Sequence, residues 1–399
     1  MRVVILSCYN GRVNRGVESW AINLCQHLQR LGHTCLIVQG GETLPPGAIF
    51  RTVSIKSPPR RATQRALPKR LQYLINRCYF GPVDREVAHF TWRALPTLLA
   101  FRPHVIIPAS NFWTVVAAKV AGWILDGQPR IVVTSQAGWS QYERDNLRVG
   151  VDGFVAIQPR VYDWAMVYER ARTVVDLIPN GVDVERFAHG PRATAPLEPP
   201  TAIVVSALEG YKQVEMAVRA AARAGMSLLV LGDGPEAITV DQVANQLLGP
   251  RRYLRIRSVG HDDVGMYYRA ADVFTLPSTA GEAFGIAIIE ALAAGLPVVV
   301  NDDPVRRWIA GPHGYFVDAR DTVSYADALQ QALDTAGDFP AERAQHLATF
   351  DWPAVAERYG IFFTRVRARP RPWPYSRLLA LPRLATQLLE RALDFTIRR

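Results

Sequence analysis

Two carboxylates, Glu282 and Glu290, bracket a Phe284-Gly285 turn in the run Gly281-Glu-Ala-Phe-Gly-Ile-Ala-Ile-Ile-Glu290. Their types and spacing suit a ligand carrying both phosphate and hydroxyl groups. Upstream, Ala271-Asp-Val-Phe-Thr-Leu-Pro277 reads as a buried strand closing on a proline. Downstream, Ile286 to Ala294 is apolar and helix-forming before Gly295 and Pro297 stop it. The helix is therefore expected to start near Phe284 or Gly285. A helix start exposes unpaired backbone N–H groups and the positive end of a macrodipole, which favours an anion, and Gly285 leaves room for its close approach. Glu290 lies five residues further on, about 7.5 Å along the axis, within reach of the hydroxyls of a ribose attached to that phosphate. Glu282 falls on the loop before the helix, where it can hold a second polyhydroxylated ring. Together these describe a nucleotide sugar. Two glutamates eight apart also arise by chance, and spacing alone leaves both readings open.

The elements that must position these residues are those of an α/β protein. The 399 residues exceed one ordinary core, so two domains are expected, and 49% hydrophobic with 21% charged residues fits a soluble globular chain. Val3 to Leu6, Thr34 to Val38, Val105 to Pro108, Arg130 to Thr134 and Gly153 to Ile157 read as strands of a mostly parallel sheet. Between the first two, Val17, Trp20, Ala21, Leu24, Cys25, Leu28 and Leu31 share one helical face and Gly32 ends the helix. A second series follows the Pro-rich stretch 189–200: strands Ala202 to Ser206, Ser227 to Leu231, Leu254 to Ser258, Val273 to Leu276 and Val298 to Val300, alternating with helices near 212–224, 236–248, 262–270 and 285–294. Two Rossmann-like doubly wound domains are thus expected.

The cysteines Cys8, Cys25, Cys35 and Cys78 fit neither a zinc site nor a disulfide framework, so reduced core thiols in a cytoplasmic protein are expected. Met1 to Ser7 reads as a first strand rather than a signal peptide, and no apolar run is long enough for a transmembrane helix. The net charge of +10 is local: residues 51–83 carry +8, residues 364–399 carry +7, and the remainder is net −5. Arg60 to Phe80 and the tail around Leu378, Leu381, Ala385, Leu388, Ala392 and Phe395 form basic amphipathic patterns. These suit peripheral contact with an anionic membrane on its inner face, at roughly 1 kcal/mol per basic residue, or packing on their own domain. Nucleic acid is not expected, because no recognised binding module accompanies the charge.

Glu282-Ala-Phe-Gly285 followed by Glu290-Ala-Leu-Ala-Ala-Gly-Leu-Pro297 closely resembles the E-x-F-G-x4-E-A-x-A-x-G-x-P signature of family 4 of the retaining nucleotide-sugar glycosyltransferases. The resemblance spans residues 1 to about 363. It implies the GT-B arrangement, two Rossmann-like domains facing across a cleft, with C-terminal helices crossing back to the first domain through a segment similar to Phe350-Asp-Trp-Pro-Ala-Val-Ala-Glu-Arg-Tyr359. The domains expected are 1–188 on the acceptor side, a linker at 189–200, a nucleotide-sugar domain at 201–350, and a crossover helix and basic tail at 351–399. Ile178-Pro-Asn-Gly-Val-Asp-Val-Glu-Arg-Phe187 matches the interdomain motif, read here as structural. The Leu231-Gly-Asp-Gly-Pro-Glu236 turn resembles the nucleotide-side loop, and turn chemistry accounts for its glycines.

The resemblance also implies roles. Glu282 is the catalytic residue, holding donor-sugar hydroxyls without acting as a nucleophile. Gly16, Lys212, Phe284, Gly285, Ile286 and Glu290 bind the donor, a UDP-sugar or GDP-sugar, with no permanently bound cofactor and no metal. Gln136 is a contact for acceptor or donor sugar, where many relatives place a histidine; glutamine cannot serve as a general base. Arg15 and Ala207 stand where the family has a glycine and an arginine. The implied reaction is a same-face displacement transferring a hexose to a glycan or lipid-linked acceptor, in which the departing diphosphate takes the acceptor's proton. The alternatives are a catalytically weak, membrane-associated partner subunit and a GT-B sugar-nucleotide epimerase or phosphorylase.

Overall fold

A computed structural model of the chain describes residues 1–12, 16–42, 47–55, 79, 81–109, 111–126, 129–138, 141–168, 173–260, 262–279, 281–334 and 340–370. The basic amphipathic segments at 60–80 and 378–395, Cys78 and Arg15 lie essentially outside these residues. The chain forms two compact units, Met1–Ile178 together with the described residues from Ala356, and Pro179–Val355.

The first unit is built on β1 (Arg2–Ser7), β2 (Thr34–Gln39), β3 (Arg51–Ser54), β4 (Val105–Pro108), β5 (Arg130–Thr134), β6 (Gly153–Ala156) and β7 (Val174–Leu177). They pair in parallel in the order β3-β2-β1-β4-β5-β6-β7, with Val3 opposite Cys35 on one side and Val105 on the other. Val3 to Leu6 have no exposed surface, as a central strand covered on both faces requires. Helix Gly16–Arg30 buries Trp20, Ala21, Leu24, Cys25 and Leu28. Leu31, expected on that face, is 49% exposed because the helix has already ended. Gly32 at φ +80° closes it with Gly32 N–H donating to Gln29 O and His33 N–H to Leu28 O, at 3.0 Å each. Cys8, Cys25 and Cys35 are buried.

From Ala356 the helix Trp352–Ala368 packs within this unit. The rings of Tyr359 and Trp20 lie 6.4 Å apart, Arg365 pairs with Asp176 at 2.5 Å, and Phe362 and Val366 close over Gly153. A Cβ at Gly153 would sit 2.9 Å from Val366. Among the described residues, no helix is long and apolar enough to cross a membrane.

The second unit contains β8 (Thr201–Val205), β9 (Ser227–Leu231), β10 (Tyr253–Ile256), β11 (Val273–Leu276), β12 (Val298–Asn301) and β13 (Gly314–Val317), all parallel in the order β10-β9-β8-β11-β12-β13. The winding reverses between β8 and β11, where Val273 lies opposite Ala202 and Phe274 opposite Ile203. In sheets of this kind the loops leaving the carboxyl ends of the strands at the reversal carry the ligand site.

The chain enters this unit at Pro179, ahead of the Pro-rich stretch. Helix Val184–Ala188 belongs to it because Phe187 packs edge-on against Tyr268 at 5.7 Å. Residues 189–200 are strapped to its surface rather than free: Ala193 N–H donates to Met266 O at 2.9 Å, Glu198 N–H to Arg251 O at 3.1 Å, and Arg269 Nε to Pro191 O at 3.0 Å. The interdomain motif has a packing reason. Val182 and Asp351 form a parallel bridge, and the Trp352 ring lies so close over Gly181 that a Cβ there would come within 2.5 Å of it. The glycines after β9 likewise answer to more than turn geometry. A Cβ on Gly232 would meet Ser206 O at 1.9 Å and one on Gly234 would meet Leu208 O at 2.5 Å, so the loops after β8 and β9 lie backbone to backbone.

Candidate functional site

Two loops of the second unit meet at the reversal point. The loop after β8 ends in a short 3-10 turn, Gly210–Lys212, and the loop after β11 runs into helix Ile286–Ala293. Tyr211 O accepts from Thr279 N–H at 2.9 Å and from Thr279 Oγ1 at 3.3 Å, which fastens one loop to the other. Lys212 Nζ forms an ion pair with Glu282 Oε2, each side chain only 11% exposed, and Ser278 Oγ donates to the same carboxylate oxygen at 3.3 Å. The Lys212 ammonium also lies 5.2 Å from the centre of the Tyr211 ring. Glu282 and Tyr211 are close enough that the carboxylate, after burial, pushes the Tyr211 hydroxyl pKa up.

Gly285 caps the helix in the left-handed region, φ +87° and ψ +57°. The sequence suggested a glycine for close approach; the backbone angle is a stronger reason. A Cβ here would be 3.1 Å from Ile288 Cδ1, tight but movable, whereas the angle costs any L residue about 1–2 kcal/mol. Gly285→Ala is therefore expected to lower the melting temperature, at about 2–4 °C per kcal/mol. Gly281→Ala, whose Cβ would meet nothing nearer than 3.8 Å, should move it little. Equal losses in the two variants, read by thermal denaturation, would reject this account of Gly285. The helix ends as the sequence predicts, with Gly295 at φ +89° and Leu296 N–H donating to Ala291 O at 3.0 Å.

The first amides of an α-helix lack a partner four residues back and direct their hydrogens out of its start; here Ile288 N–H turns back to Gly285 O at 2.9 Å. Phe284 offers only its backbone to a ligand. Its ring is buried among Trp308 and Phe350, with centroids 6.1 and 6.3 Å away. Ile286 is half-buried at the first helical position. Glu290, one and a half turns along, accepts from Tyr268 Oη at 2.9 Å. Burial raises the Glu290 pKa above the usual carboxylate range, with the Tyr268 hydrogen bond and the Arg186 charge pulling the other way. Tyr268, fully buried and facing that carboxylate, is pushed well above the usual phenol range.

The structure thus brings Lys212, Glu282, Phe284, Gly285, Ile286 and Glu290 onto two adjoining loops and one helix of the second unit. Gly16 and Gln136 belong to the first unit. Gly16 opens the helix after β1 and is exposed; Gln136 is half-buried in the turn after β5. Tyr268, Ser278 and Arg306 were not anticipated. Arg306 alone left a trace, since it precedes Ile309 by three and Ala310 by four residues and so shares their buried helical face.

Comparison with known proteins bears on the family and the fold. Residues 14–186 match the profile described as Glycosyltransferase Family 4, and residues 187–347 match that of Glycosyl transferases group 1. Phosphatidyl-myo-inositol mannosyltransferase of Mycolicibacterium smegmatis is 31% identical over 386 residues, covering 89% of this chain and 92% of that protein. The chain belongs to glycosyltransferase family 4. Two other relatives align with this family 4 chain over about half their length. The Mycobacterium leprae phosphatidyl-myo-inositol mannosyltransferase is 32% identical over 52% of this chain and 57% of its own. The D-inositol 3-phosphate glycosyltransferase of Mycolicibacterium smegmatis is 30% identical over 50% of this chain and 51% of its own. The fold is shared with sucrose-phosphate synthase from Thermosynechococcus elongatus, with a TM-score of 0.69 at 18% identity over 92% of this chain and 99% of that one. It is shared too with Anabaena HepE solved with UDP-glucose, with a TM-score of 0.66 at 16% identity over 92% and 100%. In this family 4 chain the exposed Ala207 carries no charge after β8, and Lys212 is the cation paired with Glu282.

Proposed function

We propose that this chain is a retaining glycosyltransferase that moves a hexose from a nucleotide diphosphate sugar to a lipid-linked acceptor. The observation that carries the reading is the pairing of Lys212 with Glu282 beside the amino end of helix Ile286–Ala293. A cation and a set of outward amides there suit a diphosphate, and the adjoining carboxylate suits the hydroxyls of its sugar. Glu290 takes the ribose hydroxyls. On the first unit, Gly16 serves the approach of the donor phosphates and Gln136 contacts acceptor or donor sugar.

In the proposed reaction the acceptor oxygen bonds to the anomeric carbon on the face from which the diphosphate departs. The carbon–oxygen bond to the diphosphate breaks, and its freed oxygen takes the acceptor's proton. Lys212 and the helix amides stabilise the negative charge that develops on the leaving group, while Glu282 faces the positive character of the sugar ring. Such a step calls for no metal and no enzymic nucleophile. A mannosyl donor and an inositol phospholipid acceptor are favoured by the names of the relatives. The arginines at 51–83 and 364–399 favour contact with an anionic membrane from the cytoplasmic side.

The test is a panel of GDP-mannose, UDP-glucose and related donors, first by thermal shift, then with vesicles containing phosphatidylinositol as acceptor. A donor at a hundred times its Kd should stabilise by about 2.7 kcal/mol. The product should carry the donor's anomeric configuration by NMR. No melting shift with any donor and no glycolipid product would overturn the proposal; an altered sugar on an intact nucleotide would indicate an epimerase instead.

A further inference from the structure

Arg306 is a buried cation beneath the candidate site, 2% exposed, on helix Pro304–Ala310. Its guanidinium pairs with Asp303, the residue that caps the same helix by accepting from Val305 N–H and Arg306 N–H. It also donates from Nη2 to Thr279 O at 2.8 Å. Thr279 O in turn accepts from Glu282 N–H at 3.1 Å, so one carbonyl joins the arginine to the backbone of the carboxylate residue. Asn301 Nδ2 holds the preceding carbonyl, Ser278 O, at 3.3 Å. Among the described residues, Arg306 Nε has no hydrogen-bond partner. Burial lowers the Arg306 pKa, and the Glu282 charge pulls it back up. Glu282 is paired with Lys212. A diphosphate arriving at the helix start competes for that same lysine.

We propose that Arg306 is a positioning residue for Glu282: it holds the Ser278–Glu282 loop through Thr279 O and supplies the counter-charge to the carboxylate when a diphosphate draws Lys212 away. This rests on the donor-site reading above. A shielded charge whose partner is drawn away needs another, and Arg306 is the cation tied to the Glu282 backbone through Thr279 O.

The test uses full-length Arg306→Met and Arg306→Lys, with Asp303→Asn added to the methionine variant so that no buried carboxylate is orphaned. Donor turnover is measured in wild-type and Glu282→Gln backgrounds. Removing the guanidinium should lower kcat about tenfold or more with donor KM changed less than about threefold, and lysine should recover most of it. In the Glu282→Gln background the same change should have almost no further effect, because the charge it serves is gone. An equal fall in both backgrounds would mean a merely structural arginine and would overturn the proposal, as would unchanged kcat. Hydrogen exchange at the Glu282 amide decides the loop-holding part without any donor. It should quicken about tenfold in the methionine variant, and an unchanged rate refutes it. If wild-type protein turns over no nucleotide sugar, the functional reading fails while the exchange result still stands. If the methionine variant does not fold, Arg306→Gln with Asp303→Asn, which removes the charge but keeps a side-chain donor, replaces it: kcat should fall about tenfold with Glu282 present and little in the Glu282→Gln background, and an equal fall in both overturns the proposal.

Discussion

Lys212→Met is expected to cut kcat/KM for the nucleotide sugar by roughly 10²- to 10³-fold, the loss that follows when one preorganised stabiliser of developing negative charge is removed. Methionine keeps most of the side-chain stem, which is only 11% exposed, so the loss isolates the ammonium. The same variant strands Glu282, leaving its carboxylate the Ser278 hydroxyl and the more distant charge of Arg306. Removing one partner of a shielded ion pair destabilises more than removing both. Lys212→Met with Glu282→Gln should therefore be more stable than the sum of the single losses, by about 0.5–3 kcal/mol in a double-mutant cycle followed by urea unfolding. Strict additivity, or a kcat/KM within about threefold of wild type, would refute the assigned pairing and its role.

Glu290→Gln is expected to make the ligand-free protein more stable at neutral pH while it weakens donor binding. The sign follows from burial, the largest influence on this group, which raises its folded pKa above the unfolded value of about 4.3. Between those two values the folded chain holds the proton more tightly than the unfolded one, so stability falls as pH rises. Below the unfolded pKa the group is protonated in both states and carries no penalty. Above the folded pKa the penalty of the buried charge is complete. Glutamine keeps an acceptor for Tyr268 Oη without the charge. The gain in melting temperature should therefore appear at pH 7–8 and fade towards pH 4. Donor affinity should fall about tenfold to a hundredfold, the range of a lost charge-assisted hydrogen bond. A variant that melts below wild type without donor, or binds donor equally well, would contradict this account of Glu290.

Among the strands, sequence reading failed at sheet edges. β3, β7 and β13 were not anticipated, and each borders its sheet. Their burial is partial, as at Arg51–Ser54, where no residue is fully buried. An edge strand has a neighbour on one side only, so its sequence need not carry the unbroken apolar run of β1, β8 or β9. At the candidate site, the helix after Gly285 was legible at both ends, because a left-handed cap and an apolar face are local properties. Tyr268 was not legible as the partner of Glu290, since nothing local distinguishes it from any other aromatic residue in a short helix.

By itself the sequence determined the central parallel strands, the glycines at both ends of helix Ile286–Ala293, and the presence of a cation and a carboxylate in loops that follow strands and of a second carboxylate within that helix. Only the tertiary structure decided which of those charges meet. Lys212 reaches Glu282 across 70 residues because β8 and β11 are neighbours in the sheet. Arg306 joins them because its helix turns that one arginine, and not the exposed Arg307, towards the core. Periodicity and capping act over one or two turns of chain. The juxtaposition of distant charges is set by which apolar strands pack together, and no local window contains that information.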